Sequence, residues 1–328
     1  MQKQFANKWM ICFGAALVLT GAAFVVSLCV GRFPLSVSDL LSGQELPVRV
    51  FWRLRLPRTL MAVLAGFVLG VAGSVYQTVF QNPLASPDII GVSSGATVGA
   101  ACAILFFGGG LAVTAAMAFL CALVTVFVAL GLSRLSGTRR LSSVVLSGIA
   151  VNAFTQAILM LLKLSADPQK HLGAIEYWVM GSLSDMTASK LPLSAAVSLV
   201  STGVILLLHR QLLLLSLSEE EAGMLGVSVE KMRFLLLVFA TLAVASIVSV
   251  TGLISFVGLL APHVARLLTK DFRLPTMVFG GVLGSLLLLV ADLLARSIGT
   301  ADLPLSIFTS FLGAPFLLFL VIKGGKMA

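Results

Sequence analysis

Apolar segments long enough to cross a membrane recur along this chain, and proline, glycine and charged residues separate them. The hydrocarbon core of a bilayer is about 30 Å thick and needs about 20 helical residues. The pattern therefore predicts an all-α polytopic membrane protein in which residues 1–328 form a single transmembrane domain of about ten helices. The third and eighth segments are short, which predicts broken or tilted helices. The ten segments lie near residues 9–30, 59–80, 92–107, 111–133, 142–164, 191–208, 233–252, 254–269, 276–298 and 305–323.

Composition agrees with this interpretation. Of the 328 residues, 59% are hydrophobic and 11% are charged, which excludes an ordinary soluble domain. The net charge of +9 fits cytoplasmic loops facing anionic lipid better than a surface for nucleic acid. The sequence contains no GxxxxGK[ST], no HExxH and no paired-carboxylate motif, so it predicts neither an enzyme nor a chain with its own metal or cofactor.

The distribution of Lys and Arg predicts the orientation. Lys3 and Lys8 precede the first segment, which we interpret as an uncleaved helix, and both termini are expected in the cytoplasm because basic residues collect there. The exception is the first external link, 31–58, which carries five arginines. Its arginines either extend to the membrane interface beside Trp52 or form a docking loop for an acidic partner, since a guanidinium binds a carboxylate in a bidentate way.

Polar residues also line one face of the fifth predicted helix. Such groups are costly in hydrocarbon, so this face indicates a partner helix or a wet cavity. Helix packing and a substrate path both remain open as explanations. The residues of this face are Gly148, Asn152, Thr155, Gln156 and Lys163.

Two further patterns concern helix packing. Glycines at 66, 70 and 73 share a face of the second helix, which predicts close helix approach. The acidic residue Asp292 lies well inside a predicted span, and Arg296 follows four residues later. This spacing predicts a local ion pair near the external end.

Residues 216–233, SLSEEEAGMLGVSVEKMR, are too polar to span the membrane. Ser218 and Glu221 have the spacing of a capping box. Gly226 is expected to end this first short helix, and Ser228 to cap a second one. Two short helices on the cytoplasmic face predict a contact surface for another protein.

Several stretches of the chain resemble the FecCD permease family, the membrane subunits of binding-protein-dependent ABC importers for iron–siderophores, haem and cobalamin. They run from the second helix to the last. These stretches are RLPRTLMAVLAGFVLGVAG (55–73), NPLASPDIIGVSSGA (82–96), EYWVMGSL (176–183), EEAGMLGVSVEKMR (220–233), GLISFVGLLAPHVARLL (252–268) and ADLLARSIGTADLPLSIFTSFLGAPFLLFL (291–320).

The resemblance implies a BtuC-like bundle of ten helices in the bacterial cytoplasmic (inner) membrane. The implied partners are a second permease subunit, identical or a sister chain, two ABC ATPase subunits that bind ATP and magnesium, and an external substrate-binding protein. The expected cargo is a ferric siderophore, with haem or cobalamin as alternatives.

The resemblance also implies roles for particular residues. Those matching the family's docking arginines are Arg55, Arg58 and Arg296. Those matching the cytoplasmic gate are Leu141, Ser142 and Ser143. Those expected to line the translocation path are Asn152, Thr155, Gln156, Thr309 and Ser310. Those matching the ATPase-coupling helices are Glu219, Glu220, Glu221, Ala222, Gly223, Leu225, Gly226, Val227 and Ser228.

Two other classes of protein compete with this interpretation. A secondary transporter driven by an ion gradient predicts an acid or Na⁺ site at the midplane, and the sequence offers no convincing one. A membrane scaffold leaves the external arginines and the 216–233 segment unexplained.

Overall fold

The structure, a computed structural model, has ten helices of thirteen residues or more among the residues that it describes. The described residues are 2–31, 33, 38, 43, 45–135, 141–217, 219–226, 228–271, 273–298 and 302–324. The helices agree with the ten predicted segments. They are α1 Gln2–Cys29, α2 Leu56–Val79, α3 Val92–Phe106, α4 Leu111–Leu135, α5 Leu141–Ser165, α6 Leu191–Leu207, α7 Val229–Thr251, α8 Val257–Thr269, α9 Leu274–Ser297 and α10 Leu305–Gly324.

Shorter helical elements connect these ten. A helix followed by a π-helical turn leads without a break into α2, and two short helices lie between α6 and α7. The shorter elements are Glu45–Val50, the π-helical Phe51–Arg55, the 3₁₀ turn Pro87–Ile90, the π-helical Pro168–Leu172, Gly173–Met180, His209–Leu214 and Glu219–Met224.

Six helical segments of the described ranges are long and apolar enough to cross a membrane, and α3, α6, α8 and α10 contribute shorter apolar stretches. The predicted shortness of the third and eighth segments is confirmed, since α3 has 15 residues and α8 has 13. At 1.5 Å per residue α8 is about 20 Å long and does not cross the hydrocarbon core by itself.

Helix α2 lies in the centre of the bundle, and glycines bring it into backbone contact with α8 and α9. A Cβ atom on any of the three α2 glycines would overlap a carbonyl oxygen of its neighbour. Small residues allow this approach, and the packing prediction is confirmed. The pairs are Gly66 with Gly284, Gly70 with Gly280, and Gly73 with Gly258.

The backbone between α7 and α8 leaves the helical conformation within the bundle. Phe256 has φ +65° and packs against Gly313 of α10. The Ser306 hydroxyl donates to the Leu253 carbonyl at 2.9 Å, and the Ser182 amide donates to the Thr251 carbonyl at 2.7 Å. Irregular backbone is tolerated at membrane depth when protein groups satisfy it in this way.

The two ends of α2 define two ends of the molecule. We call the end where α2 begins, with Arg53 and Arg58, the arginine end. At the opposite end the Gln81 side-chain amide donates to the Leu215 carbonyl at 3.1 Å, next to the segment between α6 and α7. We call this the coupling end; the assignment of the two ends to sides of the membrane stays a prediction.

Candidate functional sites

At the arginine end, Arg58 lies between two aspartates. Its Nε and Nη2 atoms are each 2.9 Å from Asp292 Oδ1, and its Nη1 atom donates to Asp302 Oδ2 at 2.7 Å. Arg296 Nε lies 3.5 Å from Asp292 Oδ2, a charge contact without hydrogen-bond geometry. The predicted pair of Asp292 with Arg296 is therefore confirmed, and it belongs to a larger cluster.

Arg55 attaches α1 to this cluster. Its Nη1 atom donates to the carbonyls of Leu28 and Cys29, each at 3.0 Å, and its Nη2 atom donates to the carbonyl of Phe33 at 2.7 Å. The last carbonyls of a helix have no partner within the helix, so a cation placed there stabilises the helix end. Arg296 also donates to the Ser27 hydroxyl. We call Arg55, Arg58, Asp292, Arg296 and Asp302 the inner arginine cluster.

The inner arginine cluster is largely enclosed by protein. Arg55 and Arg296 are each 6% exposed, and the side chains of Arg58 and Asp302 are 14% and 15% exposed. These arginines therefore bond within the protomer, and the structure does not show them extended to a membrane interface. Their assignment to docking stays a prediction, and the small exposed edge lies at Arg58 and Asp302.

Two further arginines and a tryptophan precede Arg55 and Arg58 in the helical segment that leads into α2. The Arg49 side chain is 62% exposed, Trp52 is 60% exposed, and Arg53 is exposed as well. Arg49 lies 3.6 Å from Glu45, one helical turn before it. We call Arg49, Trp52 and Arg53 the outer arginine face.

The polar face predicted on α5 is divided by the structure. Thr155 is 7% exposed, and its hydroxyl donates to the Ser94 hydroxyl of α3 at 2.8 Å. Gly148 lies on the same inner side, against the Ile89 carbonyl. Thr155 thus packs inside the protomer, which differs from the prediction that it lines a path.

The other predicted path residues differ in accessibility. Gln156 is exposed, and Asn152 and Ser310 are partly exposed. Thr309 is fully buried, so it too lies behind the surface. Adjacent helical residues point about 100° apart, which explains why Thr155 and Gln156 separate. A path role stays a prediction for Asn152, Gln156 and Ser310.

Bulky apolar side chains surround these polar positions on the surface of the protomer. On α5, Phe154 is 69% exposed and Leu161 is 65% exposed. On α10, Phe311 is 74% exposed and Leu318 is 65% exposed. In a membrane such faces contact lipid or another helix, so α5 and α10 present a surface that a second subunit can cover.

The predicted gate residues lie at the coupling end, where α5 begins. Leu141 is the first residue of α5; it and Ser143 are partly exposed, and Ser142 is exposed. The preceding link, 136–140, lies outside the described residues. Their gate role stays a prediction.

The segment between α6 and α7 differs in one respect from the prediction. Glu219–Met224 forms the expected short helix, and Gly226 with φ +80° follows it. Ser228, however, precedes α7 itself and makes no side-chain capping hydrogen bond. The predicted second short helix after Ser228 is wrong, because no breaker follows Val229 and the helix continues into the apolar run. The other short helix of this region is His209–Leu214.

The Glu219–Met224 helix presents apolar side chains at the coupling end. Ala222 is fully buried, whereas Met224 is 86% exposed and Leu225 is 61% exposed. Glu221, Gly223 and the Gly226 turn are exposed beside them. Ser218, Val227 and the side chains of Glu219 and Glu220 lie outside the described residues, so the predicted capping box stays a prediction.

The family follows from a comparison with known proteins, in which the model of the FecCD transport family matches residues 18–323. The chain belongs to the FecCD transport family. It is therefore a multi-pass membrane protein and a permease subunit of an ABC importer, as the sequence stretches indicated. The family's subunit is a transport component and not itself catalytic.

Relatives of this FecCD member carry different substrate names. The "Probable iron chelatin transport system permease protein" of Helicobacter pylori is 39% identical over 84% of this chain and 82% of its own. The molybdate import system permease protein MolB of Haemophilus influenzae is 35% identical over 95% of each chain. Other relatives are named for hemin and cobalamin.

A solved structure supports the fold of this FecCD chain. It shows an ABC transporter assigned to the metal-chelate type in an inward-facing conformation. The two chains superpose with a TM-score of 0.86 at 34% identity, over 95% of this chain and 99% of the other. The BtuC-like bundle expected from the sequence is thus confirmed.

The sequence analysis did not predict two residues at this site, Asp302 in the inner arginine cluster and Ser27 beside it. Asp302 pairs with Arg58 across 244 positions of sequence, and Ser27 accepts from Arg296 across 269 positions. No spacing rule connects such distant residues. The signal that the sequence offers for Asp302 is its place in the matched stretch before α10.

Proposed function

We propose that this FecCD-family permease carries a ferric siderophore across the bacterial cytoplasmic membrane, driven by ATP hydrolysis in two partner ATPase subunits. It works with a second permease subunit and receives cargo from an external substrate-binding protein. The observation that carries the proposal is that the short helix Glu219–Met224 and the turn after it expose Met224 and Leu225 to solvent at the coupling end.

These two side chains suit insertion into an apolar groove of an ATPase. An amphipathic helix placed in a groove is a common recognition mode, and methionine adapts to irregular apolar surfaces. Ala222 is buried and fixes the helix to the permease. A movement of the ATPase can therefore reach the transmembrane helices through this element.

The surface formed by α5 and α10 suits a second permease subunit. Phe154 and Phe311 are each largely exposed in the protomer, and Asn152, Gln156 and Ser310 lie among such apolar residues. A pathway between two such surfaces is lined by amides, hydroxyls and apolar carbons. Thr155 and Thr309 are buried beneath this lining, inside the protomer.

The same chemistry favours a chelated metal as cargo. Amide and hydroxyl groups bind the organic surface of a chelate by weak hydrogen bonds, and aromatic side chains contact its apolar parts. A bare metal ion is instead held by carboxylate, imidazole or thiolate groups. A ferric siderophore is therefore our first choice, with haem or cobalamin on the same machinery as the alternative.

In the proposed cycle, the arginine end faces the outside of the cell, and the loaded binding protein docks there. Closure of the ATPases on ATP displaces the Glu219–Met224 helices of the two permeases. The two halves rock against each other and open the central path alternately to each side, with the gate residues at the start of α5 closing the inner mouth.

The decisive experiment measures uptake by a strain that lacks this gene, with and without the gene restored. It compares labelled iron on several siderophores, labelled haem, labelled cobalamin and labelled molybdate. Loss and rescue of iron–siderophore uptake is the expected result. Rescue of another cargo alone would overturn the siderophore assignment and leave the importer standing.

A second comparison tests the ATPase partnership. Replacing Met224 and Leu225 with Asp is expected to abolish rescue while the permease remains in the membrane, because two charges cannot enter an apolar groove. Leu135→Asp is the matched control, since Leu135 is 83% exposed at the same end. Full uptake by the double variant would overturn the role of Met224 and Leu225 in contacting the ATPase, whereas uptake without any ATPase partner would favour an ion-driven transporter.

A further inference from the structure

Helices α4 and α7 pack against each other, and an arginine joins them at the coupling end. The guanidinium of Arg134, in the last turn of α4, lies over the Phe234 ring of α7, with its Cζ atom 4.2 Å from the ring centroid. This cation–π contact holds in place a side chain that is otherwise exposed. The planar guanidinium keeps N–H donors along its edges, so Arg134 can still bind an oxygen anion.

A second cation lies beside the same ring. Lys231 is exposed and precedes Phe234 by three residues in α7, so the two side chains are neighbours on one helix face. Glu230 points about 100° away from Lys231 around the helix. The ion pairs within the described ranges include neither Arg134 nor Lys231. The two cations are therefore available to a common anionic ligand.

The length of α4 places these cations at the level of the lipid headgroups. The 25 residues of α4 measure about 37 Å at 1.5 Å each, against about 30 Å for the hydrocarbon core and about 40–45 Å with the headgroups. When the helix is centred in the bilayer, the backbone of Arg134 lies about 17 Å from the midplane, just outside the hydrocarbon. Lys231 extends from α7 toward the same boundary, because helical side chains point toward the N-terminus of their helix. Lipid phosphate groups occupy this layer.

A groove between α4 and α7 leads from the cations toward the bilayer centre. Gly131 precedes Arg134 by three residues and therefore lies on the same face of α4, about 4.5 Å deeper in the membrane. A Cβ atom at Gly131 would meet nothing within 4 Å, so this face is open. Because α4 ends and α7 begins at the coupling end, Val238 of α7 lies at about the depth of Gly131, and both Val238 and Phe127 are accessible from outside the protomer. The groove is thus apolar and open to the membrane.

The exposed face of α4 stays apolar beyond the groove, as expected of a surface in contact with acyl chains. Its large exposed side chains on the half nearer the coupling end are Leu120, Val124, Phe127, Val128 and Leu132. A soluble anion would use the two cations and leave this apolar surface unused. A phospholipid offers a phosphate to the cations and acyl chains to the groove, so it matches both parts of the surface.

We propose that Arg134 and Lys231 bind the phosphate of an anionic phospholipid, one acyl chain of which lies in the groove at Gly131. A guanidinium and an ammonium together attract a headgroup of net negative charge more strongly than a zwitterionic one, whose own cation offsets the phosphate. The bound lipid links the end of α4 to the first turns of α7, the helix that follows the Glu219–Met224 segment. The inference depends on the location of the chain in a membrane and on neither its cargo nor its ATPase partners.

The test uses the full-length chain, purified from membranes in mild detergent with the subunits that copurify with it. Native mass spectrometry measures its affinity for the first bound phosphatidylglycerol and, in parallel, for zwitterionic phosphatidylcholine. Arg134→Gln/Lys231→Gln is expected to weaken phosphatidylglycerol binding at least about tenfold, because each cation at an anionic surface contributes about a factor of five. Binding of phosphatidylcholine is expected to change by less than about twofold, since the net charge of that lipid is zero.

Three further variants separate this site from general effects of charge and packing. Lys270→Gln/Arg273→Gln removes two exposed cations from the link between α8 and α9 at the same end and is expected to bind like the wild type. Arg134→Lys/Lys231→Arg keeps both charges and is expected to bind within about threefold of the wild type. Gly131→Leu fills the groove and keeps both cations, and it is expected to weaken phosphatidylglycerol binding about fivefold by excluding acyl methylenes. Its thermal stability in detergent is expected to stay unchanged, because the added Cβ meets no protein atom within 4 Å.

The outcomes decide between a lipid and other ligands. A selective loss in both Arg134→Gln/Lys231→Gln and Gly131→Leu would support the lipid site. Binding of Arg134→Gln/Lys231→Gln within about twofold of the wild type, or an equal loss in Lys270→Gln/Arg273→Gln, would overturn it. Displacement of the lipid by free glycerol phosphate would also overturn it, since the ligand would then be a soluble phosphate. Loss of the copurifying subunits from Arg134→Gln/Lys231→Gln would do the same, because the cations would then contact a protein.

Discussion

Helices α2 and α5 have the same apolar character but different places in the molecule. The spans that contain them each have a mean hydropathy of 1.9, yet the apolar part of the first is 78% buried and that of the second is 28% buried. Hydropathy measures how well a helix enters the membrane and does not measure what it contacts there. The difference in burial between the two helices comes instead from their small residues and their charged residues.

Glycines give α2 its central place. Gly66, Gly70 and Gly73 let three stretches of neighbouring backbone approach it, whereas α5 has such an approach at Gly148. The bulky side chains of α5, such as Phe154, remain on the surface. Helix α2 is therefore a fixed centre, and α5 is a boundary that a second subunit and the cargo can meet.

The largest expected effect comes from removing the shared acid of the inner arginine cluster. Asp292→Ala leaves Arg58 and Arg296 without the fully buried carboxylate that pairs with both. Breaking a buried ion pair from one side costs about 3–5 kcal/mol. A large loss of thermal stability of the purified permease is expected. Glu45→Gln, at a side chain that is 91% exposed, serves as the control and should change little; equal stability of both variants would contradict a cluster that holds α2 in place.

A slightly smaller effect is expected from separating α2 and α9. A side chain at Gly70 would overlap the Gly280 carbonyl, so Gly70→Val must move one backbone away from the other, at a cost of about 3 kcal/mol. The fraction of folded permease after detergent extraction and mild heating measures this. Gly131→Val makes the same change in α4, where nothing lies within 4 Å of the added atom. If both variants survived heating equally, backbone contact would not be what fixes α2.

Sequence alone predicted the ten helices because membrane insertion depends on local composition. It also predicted the pair of Asp292 with Arg296, which are four residues apart. It did not predict that Arg58 binds Asp302, since a pair so distant in sequence depends on how helices pack. For the same reason it grouped Thr155 with Gln156, although the two side chains lie on different sides of α5. Local patterns define elements, and tertiary packing decides which of their polar groups remain accessible.

A modest effect is expected from the buried hydroxyl of α5. Thr155→Val keeps the shape of the side chain and removes its hydrogen bond to Ser94, which costs about 1 kcal/mol. Gln156→Leu changes the neighbouring exposed residue and should leave stability unchanged while altering transport. Uptake assays and thermal unfolding on the two variants measure this separation. A stability loss for Gln156→Leu that equals that of Thr155→Val would mean that the two residues occupy similar environments.

The smallest expected effect concerns the ion pair that α5 makes, which is the counterpart of the inner arginine cluster on α2. Lys163 Nζ lies 2.8 Å from Glu176 Oε1, but the two side chains are 27% and 42% exposed. Solvent screens such a pair, so Glu176→Gln is expected to lower the free energy of unfolding by less than about 0.5 kcal/mol, and less still at high salt. Thermal unfolding at low and at high ionic strength, beside Asp292→Ala, measures the contrast. A loss as large as that of Asp292→Ala, insensitive to salt, would show that α5 is fixed as firmly as α2 and would remove the distinction between centre and boundary.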